Sequence, residues 1–408
     1  MHTSSIHPRL GGIALAAAVL SLAACADAGR APPLDPSRAA VRGDGGGQDL
    51  FVEVAIPHTI GSSMDSQAFD ADGDGDLDLL IAKEIQPNVL LLNDGTGRMT
   101  VAPAGMLPGG SWDSEDVAVA DFDRDGDLDA AIAGEDDQMS ELYLNDGNGV
   151  FTNASGRLPA RGTAQSVIAA DVDRDGDADL LFGNHGQNFL FVNNGSGRFT
   201  DQTRQRLPAV ADLTQDLEAG DVDGDGDLDL VVGNVDHNRL LLNDGRGFFT
   251  DAPERLPLRA AIEETREADL ADVDGDGDLD LYFANLPFVA GADPQDRLLV
   301  NDGRGWFTDQ TDARIGKESR YTVDAEFTDV DRDGDLDLVT ANLNDSRPYR
   351  VSLNDGTGVF KDATSSVFPS GLTGQGVDAE VADFNGDGRL DIYFSSYIGT
   401  DRMVLARP

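Results

Sequence analysis

The chain of 408 residues has one cysteine, Cys25, so no internal disulfide can brace it. Aromatics make up only 6 %, and 30 basic residues stand against 75 acidic ones, a net charge of −45. That balance excludes nucleic acid and anionic lipid surfaces as partners and makes cations the natural ones. Long apolar runs are also missing: the longest, Leu10 to Leu22, is too short to span a bilayer as a helix. No nucleophile elbow, phosphate loop, zinc motif or haem motif occurs, so nothing catalytic is legible.

What the amino terminus does contain is an export signal. The apolar stretch follows Arg9, and "LAAC" closes it at Leu22 to Cys25. This resembles the lipobox of bacterial lipoproteins, which implies acylation of Cys25; ordinary cleavage beside a spare thiol is the alternative. Residues 1–25 are thus read as signal peptide and 26–48, rich in Pro, Gly and Ala, as a flexible tether. An exported protein of the bacterial cell envelope, lipid-anchored, is the expectation.

Residues 49–408 repeat. A motif of the form DxDxDGxxD begins at Asp70, Asp121, Asp171, Asp221, Asp272, Asp329 and Asp383, at spacings of 51, 50, 50, 51, 57 and 54. About two dozen residues after each of the first six comes a second motif, "NDGxGxF" or a near variant, at Asn93, Asn145, Asn193, Asn243, Asn301 and Asn354. Between them lie short β-branched or leucine-rich runs such as "LDLVVG" and "RLLLN", bounded by Gly and Asn, which read as strands joined by tight turns. Four antiparallel strands per repeat make a propeller blade, and the expected fold is all-β, a seven-bladed β-propeller with no helix needed. The chain stops after a third strand, "DRMVLARP", whereas "DLFVEVAIP" from Asp49 looks like a fourth; the N-terminal strand is therefore expected to complete blade seven and close the ring. An open solenoid of the same units is the structural alternative.

The acidic motif poses a physical problem, since carboxylates 4 Å apart repel by about 1 kcal/mol even in water. A hard cation solves it. Short alternating carboxylates on a tightly turned backbone converge oxygens as calcium requires, with its six to eight oxygen ligands, and less well as magnesium does. Candidate metal residues are Asp70, Asp72, Asp74, Asp76 and Asp78 in the first loop and Asp121, Asp123, Asp125, Asp127 and Asp129 in the second. Asp171, Asp173, Asp175, Asp177 and Asp179 form the third set; Asp221, Asp223, Asp225, Asp227 and Asp229 the fourth; Asp272, Asp274, Asp276, Asp278 and Asp280 the fifth. Asp329, Asp331, Asp333, Asp335 and Asp337 follow, then Asp383, Asn385, Asp387, Arg389 and Asp391, where Asn and Arg lower the charge and the weakest site is expected. Position 7 offers its backbone carbonyl and Asp at position 9 closes the loop. An EF-hand is excluded, because its position 12 glutamate is replaced by strand residues such as Ile81 and Val232.

The alternation of the two motifs at a period near 50 resembles the FG-GAP or VCBS repeat family, related to the propeller of integrin α-subunits. The resemblance implies up to seven calcium ions in the blade loops and ligand binding on the opposite face. It differs from the integrin pattern in carrying the loop in every blade.

That opposite face collects His58, His185, His237, Trp112, Phe288, Arg347 and Tyr397, and the longest excursion there runs from Ala284 to Asp296. Five residues before each loop stand Asp65, Asp116, Ser166, Asp216, Glu267, Asp324 and Asp378, six of the seven acidic. This ring is expected near the top mouth of the central channel, where it either attracts a cation or basic segment of a partner or bonds each carboxylate to the next blade. The functional expectation is a calcium-stabilised, membrane-anchored binding or adhesion module for a protein or glycan ligand. A carbohydrate-active enzyme of lyase or dehydratase type, using the opposite-face loops, is the alternative, and a structural assembly partner in the envelope is a third.

Overall fold

Each acidic loop sits where an inner strand ends and its antiparallel neighbour begins. The computed structural model describes residues 49–57, 61–135, 139–259, 261–317, 320–343 and 346–408. The signal segment, Cys25, the tether and His58 lie outside them. In the first repeat Ser63–Phe69 pairs with Asp78–Gln86, that strand with Val89–Leu92, and that with Thr100–Val101. The second to sixth repeats follow the same order. In the seventh, Gly376–Ala382, Asp391–Ser396 and Arg402–Ala406 take their fourth strand from the other end of the chain. Phe51–Val54 runs antiparallel to Arg402–Ala406, with Phe51 opposite Ala406 and Val54 opposite Met403.

The inner strands Ser63–Phe69, Trp112–Ala120, Ala164–Ala170, Asp212–Gly220, Glu263–Ala271, Thr322–Thr328 and Gly376–Ala382 touch in that order, and the last returns to the first. This cycle excludes the open solenoid. Apolar side chains pack between successive repeats all the way round, including Leu79, Ile81 and Met99 of the first against Phe384, Tyr393 and Met403 of the seventh. The fold is all-β and of propeller type, its ring closed by the N-terminal strand.

Two features depart from the expectation. One-turn helices Thr203–Arg206, Thr311–Arg314 and Thr364–Val367 follow fourth strands, as do 3-10 turns at Ser155–Arg157 and Pro253–Arg255. They start where Asp201, Asp309, Asp362 or Asn153 accepts the N–H two residues on, a side-chain turn that draws the chain out of the sheet. The second departure is a break in register near the start of all seven inner strands, between Ser63 and Asp65 in the first and at equivalent places in the rest. Such bulges re-aim the side chain that follows them.

Candidate metal centres and an interior carboxylate ring

The loops wind around their own first aspartate. Asp70 accepts from Gly73 N at 2.8 Å and Gly75 N at 3.0 Å, Asp221 from Gly224 N and Gly226 N at 2.9 Å each, and Asp383 from Gly388 N at 2.7 Å. The position 5 aspartate accepts from the N–H of position 7, for example Asp76 N to Asp74 at 3.0 Å. Position 6 lies at φ +79° to +100° in every loop, which is why Gly75, Gly126 and their equivalents stand there. Winding of this kind brings carboxylate oxygens of Asp70, Asp72 and Asp78 within 4.8 Å of one another. The same holds for Asp121, Asp123 and Asp129, for Asp171, Asp173 and Asp179, and for Asp221, Asp223 and Asp225.

Position 3 carries the clearest sign of a missing partner. Oδ1 of Asp72, Asp123, Asp173, Asp223 and Asp274 is buried and accepts no hydrogen bond, at the same place in five loops. A buried acceptor left bare costs about 1–3 kcal/mol, a cost that a bound cation would offset at each of the five places. Burial and the aspartates at positions 1 and 5 push the Asp72 and Asp123 carboxyls up. An oxygen-only donor set that repels itself when bare fits a hard cation.

The other oxygen of position 3 is braced by arginines that sequence reasoning missed. Arg206 holds Asp173 Oδ2 at 2.7 Å, Arg255 holds Asp223 at 3.2 Å and Arg314 holds Asp274 at 2.8 Å. Arg255 also donates to Arg304 O and Arg314 to Thr357 O, so each ties its own acidic loop to the next repeat's NDG turn. Arg157 donates likewise to Ser196 O. A signal was present: each of these arginines lies 12 or 13 residues after the motif asparagine.

In two loops the position 7 aspartate is engaged by an arginine of the preceding repeat. Arg124 pairs with Asp177 of the next repeat at 2.5 Å and Arg174 with Asp227 at 2.6 Å. Except in the third loop, where Asp179 Oδ2 is bare, position 9 spends both oxygens on backbone: Asp129 accepts from Phe122 N at 2.9 Å and Asn145 N at 2.8 Å, and Asp337 from Val330 N and Asn354 N at 3.0 and 2.8 Å. Burial pushes these carboxyls up, Asp129 to about 7 and Asp78 to about 6. In the seventh loop Arg389 pairs with Asp387 at 3.2 Å, and Asn385 reaches Asp391 Oδ1 at 3.4 Å.

The motif asparagine is a clasp as well as a turn residue. Asn145 Nδ2 donates to Ala71 O of the preceding acidic loop and to Leu128 O of its own, at 2.9 and 3.2 Å. Asn193, Asn243, Asn301 and Asn354 repeat the pair, and Asn93 donates to Phe384 O at 2.7 Å, which fastens the first repeat to the seventh.

The ring five residues before each loop is interior and not an open mouth. Asp65, Asp116, Asp216, Glu267, Asp324 and Asp378 are at most 4 % exposed, beyond reach of a partner's basic segment. Its hydrogen bonds run to the next blade: Val117 N to Asp65 at 2.7 Å, Val167 N to Asp116 at 2.7 Å, Leu217 N to Ser166 Oγ at 3.2 Å and Ala268 N to Asp216 at 2.9 Å. Ser66 Oγ donates to Asp378 at 2.6 Å. An innermost strand has a free edge, and these side chains cap its amides. Two residues further on lies a second layer unforeseen from sequence, Glu218, Asp269, Glu326 and Glu380, in which Glu380 accepts from Ala68 N at 2.8 Å. Burial and mutual repulsion push Asp65, Glu267, Asp324 and Glu326 well up.

On the opposite face, Gln215 joins His185 at 2.9 Å and Arg266 at 2.5 Å; Arg266 also pairs with Glu264 and covers the Phe288 ring. Val289 N of the long excursion donates to Glu264 at 2.6 Å. His237 lies more than half exposed beside Asp236. Arg347 pairs with Asp362 at 2.8 Å, Trp112 begins the second inner strand opposite Gln86, and Tyr397 packs against an apolar cluster of Met64, Leu286, Val323, Leu343 and Val377. Asp113, Glu115 and Glu135, all buried, bring oxygens within 4.8 Å of one another near this face. A depression of about 760 Å³ at Arg259, Asp293, Asp309 and Lys317 holds none of the motif residues.

The profile of the FG-GAP-like repeat matches residues 70–132, 130–182, 171–232, 221–283 and 329–394, segments that include all seven acidic loops. No curated protein matches the chain at a significant level. Among solved structures, the chain is similar to the extracellular domain of the putative hybrid two component system BT3049 from B. thetaiotaomicron, with a TM-score of 0.54 and 14 % identity over 88 % of this chain and 42 % of that one. BT4673 from the same organism gives 0.52 and 12 % over 88 % and 39 %. BBS1N, solved in complex with ARL6DN, gives 0.55 and 11 % over 88 % and 98 %. At these identities the likeness is one of fold.

Proposed function

The chain belongs to the FG-GAP-like repeat family, and from that premise we propose that it is an exported binding module whose blade loops hold calcium and whose opposite face receives a protein or glycan. Acylation at Cys25 would tether it to a membrane through residues 26–48. The observation that carries the calcium reading is the bare, buried position 3 oxygen in five loops. Bound calcium supplies attraction where the aspartates otherwise repel. At ten times its dissociation constant, each ion contributes about 1.4 kcal/mol, and about 10 kcal/mol over seven matches a whole domain's stability. Calcium is thus structural here, and binding falls to loops that the rigid ring holds in place.

The enzyme alternative asks for histidines gathered around a carboxylate. His237 sits exposed beside Asp236, while His185 is engaged with Gln215, so the binding reading is carried forward. Its test is a glycan and envelope-protein binding screen of the purified protein, with calcium and with chelator. Ligand capture that disappears on chelation supports the proposal; unchanged folding and melting after complete metal removal overturns the calcium part of it.

A further inference from the structure

The interior carboxylates are only half explained by the amides they cap. Asp65, Asp116 and Asp216 each give one oxygen to a neighbouring backbone N–H. The second oxygen has no such use: Oδ1 of Asp65 and of Asp116, Oε2 of Glu218 and of Glu267, and both oxygens of Asp324 are buried without a hydrogen-bond partner. Asp65, Asp116, Glu267 and Asp324 are each 1 % exposed. The strands that carry them touch in a closed cycle, and a register break precedes each ring position. The acids act on one another across several blades, Asp65 with Asp116 and Asp378, and Glu267 with Asp216 and Asp324.

Buried carboxylates must be neutralised by protons or by a cation. A shared proton can serve one facing pair, as between Asp116 and Asp65, whereas one cation satisfies several bare oxygens together. The donors are oxygens alone, supplied by flexible side chains in two layers, which suits a hard ion of large and irregular coordination. Ser166 and Ile168 leave the third blade without acid in either layer, so the charge gathers toward the remaining blades.

We propose that these carboxylates form a cation site on the axis of the ring, separate from the blade loops, for which Asp65, Asp116, Glu267 and Asp324 are the candidate ligands of one calcium-class ion. The site owes nothing to the loop reading, since it uses other residues and other strands. Crystals of the full chain grown in calcium chloride, measured where calcium scatters anomalously, should show a peak on the axis. Native mass spectrometry in calcium should count one ion fewer for Asp65→Asn/Asp116→Asn than for wild type. Asn keeps an oxygen to accept the Val117 and Val167 N–H groups, and Glu267→Gln, whose side chain caps no strand edge here, serves as a second variant should the first fail to fold. Occupied loops around an axis that shows only water, or an unchanged ion count in either folded variant, would overturn the proposal. An axial peak beside empty loops would instead sink the loop reading and leave this one standing.

Discussion

Aspartate serves this molecule in two places under opposite conditions. In the blade-end loops it is clustered, mostly wet and wound into turns by its own backbone, and in five of them the position 3 carboxylate keeps one bare, buried oxygen. Around the axis it is buried, spaced one per strand, and bonded to the backbone of the next blade. The difference lies in neighbours, not residue type: a carboxylate near water can wait for a cation, while a buried one must be neutralised to fold at all.

The contrast is broken most forcefully by metal removal. Chelator should lower the thermal midpoint by on the order of 10 °C or more, read by calorimetry with and without calcium. A shift of a degree or two would mean that the loops stand without ions.

Proton linkage comes next. Burial and Asp378 push Glu380 up to about 8, so between its unfolded value of 4.5 and that point the folded protein holds a proton that the unfolded chain has shed. Its stabilising effect is complete at low pH and fades as pH rises through that window. In chelator, the unfolding free energy from urea titration should fall from pH 5 to pH 8, by a few kcal/mol at most. Glu380→Gln should flatten the fall while still accepting the Ala68 N–H, and an unaltered profile would show that this group does not titrate there.

Smaller still is the effect of deleting a cap. Asp216→Ala strips the acceptor from Ala268 N and should cost about 2–3 kcal/mol in urea unfolding. Asp216→Asn, which keeps an acceptor, should stay within about 1 kcal/mol of wild type. Equal losses would assign the role to charge and not to the hydrogen bond.

The least effect is expected at Arg124→Gly. Arg124 sits at φ 60° and half exposed, paired with Asp177. Glycine relieves the backbone and loses a surface ion pair worth about 0.2–1 kcal/mol, so the net change should lie within about 0.5 kcal/mol. A loss above about 2 kcal/mol would show that this pair acts as a true fastening between blades.

The all-β propeller class, strand order and closure by Phe51–Val54 were legible before any coordinates, because two punctuating motifs at a fixed period leave little freedom to the strands between them. The loop residues were legible for the same reason. The acidic register at Asp65 and its equivalents could be seen, but its burial could not: the bulge after Ser63 shifts the pairing, and a period-two reading has no means of finding it. Asn145 looked like a turn former alone, since its reach to Ala71 O spans 74 residues of sequence. Arg255 and Arg314 escaped notice because their partners are set by how one blade leans on the next.

The clasps are not evenly shared. Blade seven has Ala406 where the others have asparagine, its N–H still held by Asp391 at 2.7 Å, so its side chain cannot reach back to blade six. Aromatic rings pack that seam, as they do other seams, but without the clasp: Tyr349 stacks on Phe394 with centroids 4.2 Å apart, Phe368 meets Phe394 at 5.7 Å, and Phe51 meets Phe368 at 5.6 Å. Apolar contacts weaken on cooling, unlike the polar fastenings elsewhere. Chilled toward freezing, the bracelet should unlatch at its sixth joint before any other.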